Sequence, residues 1–166
     1  MNLVFQEIQT PVGRLKMVAS DVGLKAILWE NDNPRRIPLE EMTEHRGNHA
    51  LEIAEHQLTE YFQGQRQRFD VPLDFAGTAF QKKVWQAFLK IPFGETRTYG
   101  EIAREIGNSG AVRAVGMACG RNPISIIAPC HRVVGSGGSL GGFAGGLDVK
   151  RYLLELERGL QTKRLM

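Results

Sequence analysis

Short runs of alternating apolar and polar residues fill the first 29 positions of the chain. Their apolar members are Leu3, Phe5 and Ile8, then Leu15, Met17 and Ala19, and then Leu24, Ala26, Leu28 and Trp29. Turn-forming residues separate the runs at 10–13 and again at 21–23. Alternation with a period of two, broken by glycine-containing turns, predicts an antiparallel meander of three strands.

The spacing of apolar residues changes to a helical one after a polar, proline-bearing loop at 31–38. The residues at helical spacing are Ala50, Ile53, Ala54, Leu58, Tyr61 and Phe62. They predict a helix from His49 to Gln63, which Gly64 ends. A last alternating run, with apolar residues at Phe69, Val71 and Leu73, predicts one more strand.

The pattern from Gly77 onward is mainly helical. Thr78 is a good N-cap for a helix with a strongly apolar face. Thr98 caps a short helix over 99–106, a glycine-containing turn covers 107–110, and a second short helix covers 111–119. Two short helices joined by a tight turn predict a helix-turn-helix. We therefore expect an α+β protein with an N-terminal antiparallel sheet and helix (1–76) and a mainly helical C-terminal domain (77–166).

Composition limits the class of protein further. The 166 residues are 42% hydrophobic and 23% charged, which suits one large or two small globular domains. No run reaches the roughly 20 apolar residues that a bilayer requires, and the N-terminus lacks the pattern of a signal peptide. Two cysteines are too few for a disulfide scaffold, so we expect the reducing cytoplasm.

No metal site is expected. The cysteines and histidines do not have the paired spacing of a zinc finger. His45, His49 and His56 lie in or near the predicted N-terminal helix, and we assign them to its surface or packing.

Charge is divided unequally along the chain. Residues 1–78 hold 8 Lys and Arg against 12 Asp and Glu, whereas residues 79–166 hold 13 against 6. The basic C-terminal part therefore favours binding of a polyanion. The predicted helix at 111–119 has few hydrogen-bonding side chains and would read base edges poorly. Its small residues would permit close approach in the minor groove with Arg113 inserted into the base stack, but the residues alone favour a packed core helix with Arg113 reaching the surface.

The sequence Pro129-Cys130-His131 is the best candidate for chemistry. It follows an apolar run, Ile124 to Ile127, which we predict to be a buried strand, and it precedes a glycine-rich stretch at 135–146. The thiolate is the reactive form of cysteine, and a neighbouring imidazole can raise its fraction. Adjacency alone leaves open a buried structural cysteine beside an unrelated histidine.

Five motifs, in their order and spacing, carry a resemblance to a known family. They are Thr98-Tyr99-Gly100, Arg113-Ala114-Val115-Gly116, Arg121-Asn122-Pro123, Pro129-Cys130-His131-Arg132-Val133 and Ala144-Gly145-Gly146. From about Gly77 to Gly159 the chain resembles the O6-alkylguanine-DNA alkyltransferases, also called methylated-DNA–protein-cysteine methyltransferases. Residues 1–76 are compatible with that family's more variable, ribonuclease H-like N-terminal domain.

The resemblance implies direct-reversal DNA repair without a cofactor. The family transfers an alkyl group from O6 of guanine, less readily from O4 of thymine, to its own cysteine, once per molecule. Cys130 would be the acceptor, His131 the general base acting through a water, and Glu157 the group that holds the imidazole. Glu157→Gln is then expected to slow alkylation and spare the fold. The partner would be duplex DNA containing O6-alkylguanine, bound by a monomer, and cooperative assembly along DNA is left open.

Other roles follow from the same resemblance. Asn122 would brace the turn before the cysteine. Tyr99 would press against the target phosphate and donate a hydrogen bond to the leaving guanine, and Arg113 would fill the vacated place in the duplex. The further DNA-binding residues would be Ala111, Ala114 and Gly116. The base pocket would include Val133, Phe143, Ala144 and Gly145, with the backbone N–H groups of Val133 and Ala144 binding guanine edge atoms.

Two positions depart from the family pattern. Phe143 stands where many members have tyrosine, which removes a hydroxyl from the expected pocket wall. Ala128 replaces a larger aliphatic residue and could enlarge the pocket. Cys119, the second thiol, is assigned to packing.

Three functions other than alkyl transfer are alternatives for this sequence. A non-catalytic lesion binder resembles the alkyltransferase-like proteins, but those replace the cysteine, whereas Cys130 is intact. A helix-turn-helix regulator with a redox or structural cysteine is disfavoured by the alanine-rich recognition helix. A thiol hydrolase would need an oxyanion hole and turnover, and neither is indicated.

Overall fold

The computed structural model describes the backbone of residues 2–165 and the side chains of residues 2–159. The chain divides into two units between Ala76 and Gly77. The first unit is built on a sheet and the second is mainly helical, so the predicted α+β class is confirmed. Among the helices in the described range, none is both long enough and apolar enough to cross a membrane.

The first unit contains a four-stranded sheet. Its strands are β1 (Leu3–Thr10), β2 (Gly13–Ala19), β3 (Leu24–Leu28) and β4 (Met42–Glu44). The β1–β2 and β2–β3 pairs are antiparallel, so the predicted meander is confirmed. The order is β3-β2-β1-β4, and β4 pairs with β1 in parallel. Because β4 has three residues, it lacks a pattern that could have predicted it.

One helix, α1 (His49–Phe62), contacts strands β1, β2 and β3. Its first turn is capped by Asn48, whose side chain accepts a hydrogen bond from the Leu51 N–H. Gly64, at φ +78°, follows the helix and ends it as predicted. Leu15 and Met17 of β2 are fully buried, and alternation along the strand directs Val18 to the opposite face of the sheet.

The prediction of a strand around Phe69 to Leu73 is wrong. Only an isolated parallel bridge joins Leu73 to Leu24. The Leu24 N–H donates to the Pro72 carbonyl over 2.8 Å, and the Asp74 N–H donates to the Leu24 carbonyl over 2.8 Å. Pro72 has no N–H and cannot continue a ladder, so pairing stops after these two bonds.

Within the described residues, the second unit contains four α-helices and a small sheet. The helices are α2 (Ala79–Phe88), α3 (Tyr99–Glu105), α4 (Val112–Gly120) and α5 (Leu147–Leu165), and the parallel strands are β5 (Arg97–Thr98) and β6 (Val133–Val134). Thr78 and Thr98 each form a capping box, so the predicted starts of α2 and α3 are confirmed. A tight turn, in which Gly107 has φ +80°, separates α3 from α4.

The apolar run Ile124 to Ile127 is buried but is not the predicted strand. It forms consecutive turns, in which Ile126 has φ +75°. This conformation of a β-branched residue costs about 1–3 kcal/mol and is incompatible with an extended strand. Asn122 stabilises the turns, because its side chain accepts from the Ile124 N–H (3.1 Å) and donates to the Ala128 carbonyl (2.8 Å). The fully buried Asn122 thereby fixes the segment that leads to Cys130.

Candidate active site

Cys130 begins a single 3-10 turn, Cys130–Arg132, directly after Pro129. Its N–H donates to the Ala128 carbonyl over 2.8 Å. The side chain is a reduced thiol and only 3% exposed. A compact turn therefore holds the candidate nucleophile inside the second unit rather than on its surface.

His131 follows the thiol in the same turn and is fully buried. Its Nε2 lies 2.7 Å from Glu157 Oε2, and donation of the Nε2 hydrogen to this carboxylate leaves Nδ1 as the acceptor nitrogen. Nδ1 is buried and has no hydrogen-bond partner among the described residues. Burial lowers the pKa of His131, although Glu157 opposes the shift. The imidazole is therefore neutral near pH 7 and able to take a proton at Nδ1.

Glu157, on the buried face of α5, binds Arg132 as well as His131. Arg132 donates from Nε to Oε1 over 2.8 Å and from Nη2 to Oε2 over 3.0 Å. Arg132 Nη1 also donates to the Ile91 carbonyl over 2.6 Å, and the Gly94 N–H donates to Glu157 Oε1 over 3.2 Å. Burial alone would raise the pKa of Glu157, but His131 and Arg132 hold it well below its usual range. The carboxylate thus stays charged and oriented.

A second charged residue, Lys150, lies about two helical turns before Glu157 on α5. Its side chain is fully buried, and Nζ donates to the Val133 carbonyl over 2.7 Å. Burial lowers the pKa of Lys150, whereas negative charge on Cys119 and Cys130 opposes that shift. The interaction is mutual, so a positively charged Lys150 favours the thiolate form of its cysteine neighbours.

Tyr99, the first residue of α3, is half-buried beside the glycine-rich stretch. Burial, together with negative charge on Cys119 and Cys130, raises its pKa to about 12. The hydroxyl therefore keeps its proton at neutral pH and can donate it in a hydrogen bond. Gly141, at φ +72°, approaches Tyr99 so closely that a Cβ there would collide with the hydroxyl oxygen and lie 3.2 Å from Cε2.

Helix α4 has one buried and one exposed face. Val115, Ala118 and Cys119 are buried, and the Trp85 indole N–H of α2 donates to the Ala118 carbonyl over 2.9 Å. The exposed residues of α4 before its last turn are Val112, Arg113, Ala114 and Met117. Ala111 is the N-cap, and Gly116 is half-buried with no atom within 4 Å of a Cβ built there. Arg113 therefore projects from an exposed face that it shares with Ala114 and two larger apolar residues, Val112 and Met117.

The residues expected to form the base pocket differ in their burial. Phe143 and Gly145 are half-buried and Ala144 is exposed, all before α5. Val133 is buried, but its N–H donates to the Cys130 carbonyl. The expectation that this N–H binds a guanine edge needs correction, because a 3-10 turn uses the group for its own closing bond.

Three residues were given no role from the sequence, two of them in the site and one on the exposed face of α4. Arg132 lies in the Pro-Cys-His-Arg-Val motif, but its charge pair with Glu157 spans 25 positions. Lys150 could have been found from its place on the apolar face of α5, which continues through Leu153, Leu154 and Glu157. Met117, 70% exposed on α4, carries no signal in the pattern.

No group of three or more His, Cys, Asp or Glu side chains suited to a metal ion occurs among the residues that the structure describes. The site contains instead a thiol, an imidazole and three buried charged side chains, those of Arg132, Lys150 and Glu157. This set suits nucleophilic chemistry at sulfur.

Known proteins resemble the chain over nearly its whole length. Residues 3–75 match the ribonuclease-like domain, and residues 79–159 the DNA binding domain, of 6-O-methylguanine DNA methyltransferase. The methylated-DNA–protein-cysteine methyltransferase of Methanosarcina acetivorans is 46% identical over 149 residues, 90% of this chain and 94% of that one. The protein of the same name from Mycobacterium tuberculosis H37Rv is 60% identical over 109 residues, 66% of each chain. The crystal structure of Mycobacterium tuberculosis OGT in complex with DNA superposes with a TM-score of 0.87 at 44% identity, covering 96% of this chain and 94% of that one.

Proposed function

The chain belongs to the methylated-DNA–protein-cysteine methyltransferase family, and from this we propose that it flips O6-alkylguanine out of duplex DNA and transfers the alkyl group irreversibly to Cys130. O4-alkylthymine is a slower substrate of the same site. Residues 77–166 bind DNA and carry out the transfer, and residues 1–76 have a structural role. Each molecule acts once, because the thioether that forms is stable.

The observation that carries this proposal is the buried turn in which Cys130 is followed by His131 and Glu157 orients the imidazole over 2.7 Å. A thiol is a weak nucleophile until it loses its proton. The neutral imidazole of His131, the residue after Cys130, has an accepting Nδ1 and supplies the base, acting through one water molecule. Glu157, held in its charged form by Arg132, stabilises the imidazolium that results.

The transfer step is a displacement at the alkyl carbon. The Cys130 sulfur forms a bond to that carbon, and the bond between the carbon and guanine O6 breaks. The electron pair of the broken bond moves into the guanine ring, which a hydrogen-bond donor stabilises as charge develops. Tyr99 is suited to that role because its raised pKa, about 12, keeps the hydroxyl protonated. Lys150 stabilises the attacking thiolate through its positive charge.

A matched pair of glycine substitutions tests the position of Tyr99. Gly141→Ala is expected to slow alkyl transfer about 10- to 100-fold, because the new methyl group displaces the Tyr99 hydroxyl and a misplaced catalytic group is costly. Gly138→Ala is the control, since Gly138 also has a positive φ, +87°, and no atom lies within 4 Å of a Cβ at that position. Rates are measured by single-turnover kinetics on a lesion-bearing duplex. Equal rates for the two variants would show that alkyl transfer does not depend on the position of the Tyr99 hydroxyl.

DNA binding is assigned to the exposed face of α4, with α3 and α4 acting as a helix-turn-helix. The surplus of Lys and Arg after residue 78 provides attraction to phosphates, and binding should weaken as salt rises. Ala114 and Gly116 of α4 permit close approach in the minor groove, where Arg113 fills the space left by the flipped nucleotide. Extrusion of the base costs a few kcal/mol, which Arg113 offsets by replacing lost stacking.

Arg113→Ala should therefore impair repair of duplex DNA more than reaction with the free O6-alkylguanine base. We expect a loss of about tenfold or more on duplex and little change with the base, because only the duplex requires flipping. Arg46→Ala removes the same charge from an exposed site in the first unit and is the control. Single-turnover rates on both substrates give the ratio. Equal losses on the two substrates would remove the flipping role of Arg113.

Intact and peptide mass spectrometry tests the proposed function itself. The protein is mixed with a duplex that contains one O6-methylguanine, and the peptide that carries Cys130 is examined. One added methyl group on that peptide, with an equal amount of guanine restored in the DNA, is the expected result. Tight lesion binding without a mass change would instead indicate a non-catalytic lesion binder, and binding without lesion preference would favour a regulator.

A further inference from the structure

Two reduced thiols lie next to each other inside the second unit. Cys119, in the last turn of α4, has its Sγ 3.8 Å from the carbonyl oxygen of Cys130. Cys119 is 7% and Cys130 is 3% exposed. The proposed transfer uses only one of these thiols, so the second needs its own explanation.

We propose that Cys119 resolves oxidation of Cys130 by a peroxide, so that the two residues close a reversible disulfide that stores the nucleophile in a protected, inactive form. Loss of transfer activity in the oxidised state rests on the proposed function. Formation of the disulfide does not.

The chemistry proceeds in two balanced steps. The Cys130 thiolate attacks the peroxide, a sulfur–oxygen bond forms, the oxygen–oxygen bond breaks, and hydroxide leaves. The Cys119 sulfur then attacks the sulfenic sulfur, a disulfide bond forms, and the sulfenic hydroxyl leaves with the Cys119 proton as water. Two thiols thereby lose two electrons to one peroxide molecule, which is reduced to water.

The electrostatic setting supports this order of events. The hydrogen bond to Cys130, burial and negative charge on Cys130 raise the pKa of Cys119 well above its usual value, whereas Lys150 opposes the shift. Cys119 is therefore a poor first target for peroxide. Once Cys130 is a sulfenic acid, its negative charge is gone while Lys150 remains. The pKa of Cys119 then falls at the stage when its thiolate has to attack.

The chain between the two cysteines holds them in place. The Asn122 N–H donates to the Cys119 carbonyl over 3.2 Å, and the Asn122 side chain donates to the Ala128 carbonyl over 2.8 Å. The Cys130 N–H also donates to the Ala128 carbonyl. Asn122 thus connects both ends of the segment and keeps the Cys119 sulfur 3.8 Å from the Cys130 carbonyl oxygen. The proposal requires the two side chains to rotate until their sulfurs reach bonding geometry.

The experiment compares wild-type protein with Cys119→Ser, using hydrogen peroxide as the oxidant. Remaining thiols are blocked under denaturing conditions, and peptides are identified by mass spectrometry before and after treatment with dithiothreitol. In the wild type we expect a linked Cys119–Cys130 peptide pair, loss of methyl transfer, and recovery of transfer on reduction. In Cys119→Ser we expect Cys130 to proceed to sulfinic and sulfonic acids, with loss of the recoverable fraction.

Further arms keep the test decisive. Cys119→Ala serves as a second variant, and the products are identified by mass, so the result does not require either variant to be active. Wild-type protein first methylated at Cys130 by lesion DNA should form no disulfide. Absence of the linked peptides in the wild type, or the same recovery in all three proteins, would overturn the proposal. A linked pair in a protein that never transfers methyl groups would instead remove the proposed function and leave the thiol pair standing.

Discussion

Replacement of Cys130 with alanine is expected to abolish alkyl transfer completely while binding of duplex DNA stays near that of the wild type. The reacting sulfur is lost, and the remaining thiol cannot substitute for it. Burial still raises the pKa of Cys119 when Cys130 is absent, so that thiol stays largely protonated and weakly nucleophilic. The proposed DNA contacts come instead from the exposed face of α4 and from basic residues, which the substitution does not touch.

The measurement combines mass spectrometry for transfer with an electrophoretic shift assay for binding, on one duplex containing O6-methylguanine. Cys119→Ala is the matched control, because it removes the neighbouring buried thiol and should retain transfer. A methyl group found on Cys119 of the Cys130→Ala protein would contradict the assignment of a single nucleophile. Loss of binding together with transfer would mean that Cys130 also supports the DNA-binding surface.

Features of the fold that depend on neighbouring residues could be predicted from the sequence. The N-caps Thr78 and Thr98 are each followed three positions later by Gln81 or Glu101, and each pair forms the reciprocal capping bonds in the structure. The meander also followed from local alternation and turn residues. Strand β4 and the bridge at Leu73 depend on pairing with distant strands, and short runs carry no local record of such pairing.

The candidate site shows the same limit. The motif around Cys130 and His131 pointed to the chemistry, and Glu157 came from a resemblance to a family. The partners that set the charge of Glu157 could not be found this way, because Arg132 and the carboxylate meet only after α5 packs against the 3-10 turn. The left-handed backbone of Ile126 was also hidden, since its apolar neighbours are equally typical of a buried strand.

The structure changes one expectation about Glu157, namely that Glu157→Gln would spare the fold. The carboxylate also neutralises Arg132, which is 5% exposed and donates to it through two nitrogens. An amide removes the negative charge and leaves a buried guanidinium without its ionic partner. Breaking a buried pair in this way costs about 3–5 kcal/mol, so a marked loss of stability is expected.

Glu157→Gln should also slow alkyl transfer by about 10²- to 10⁴-fold, the usual range for loss of acid–base assistance. The amide can still accept a hydrogen bond from His131, but it cannot stabilise the imidazolium that forms as the thiol is deprotonated. Single-turnover rates and urea unfolding give the two effects separately. Glu155→Gln, an exposed carboxylate on the same helix, is the matched control and should change neither quantity.

Acid should reduce the difference in stability between the wild type and Glu157→Gln. The folded-state pKa of Glu157 is depressed, so its contribution is fully present above the unfolded value of about 4.3 and declines as pH falls toward the folded value. The lowered pKa of His131 adds a separate loss of folding stability in acid. Below about pH 6.5 the unfolded chain takes up a proton that the buried imidazole resists. The two unfolding free energies, measured from pH 7 to pH 3, should therefore begin to approach each other below about pH 4. A constant difference across this range would mean that Glu157 stabilises the fold through packing rather than through its charge.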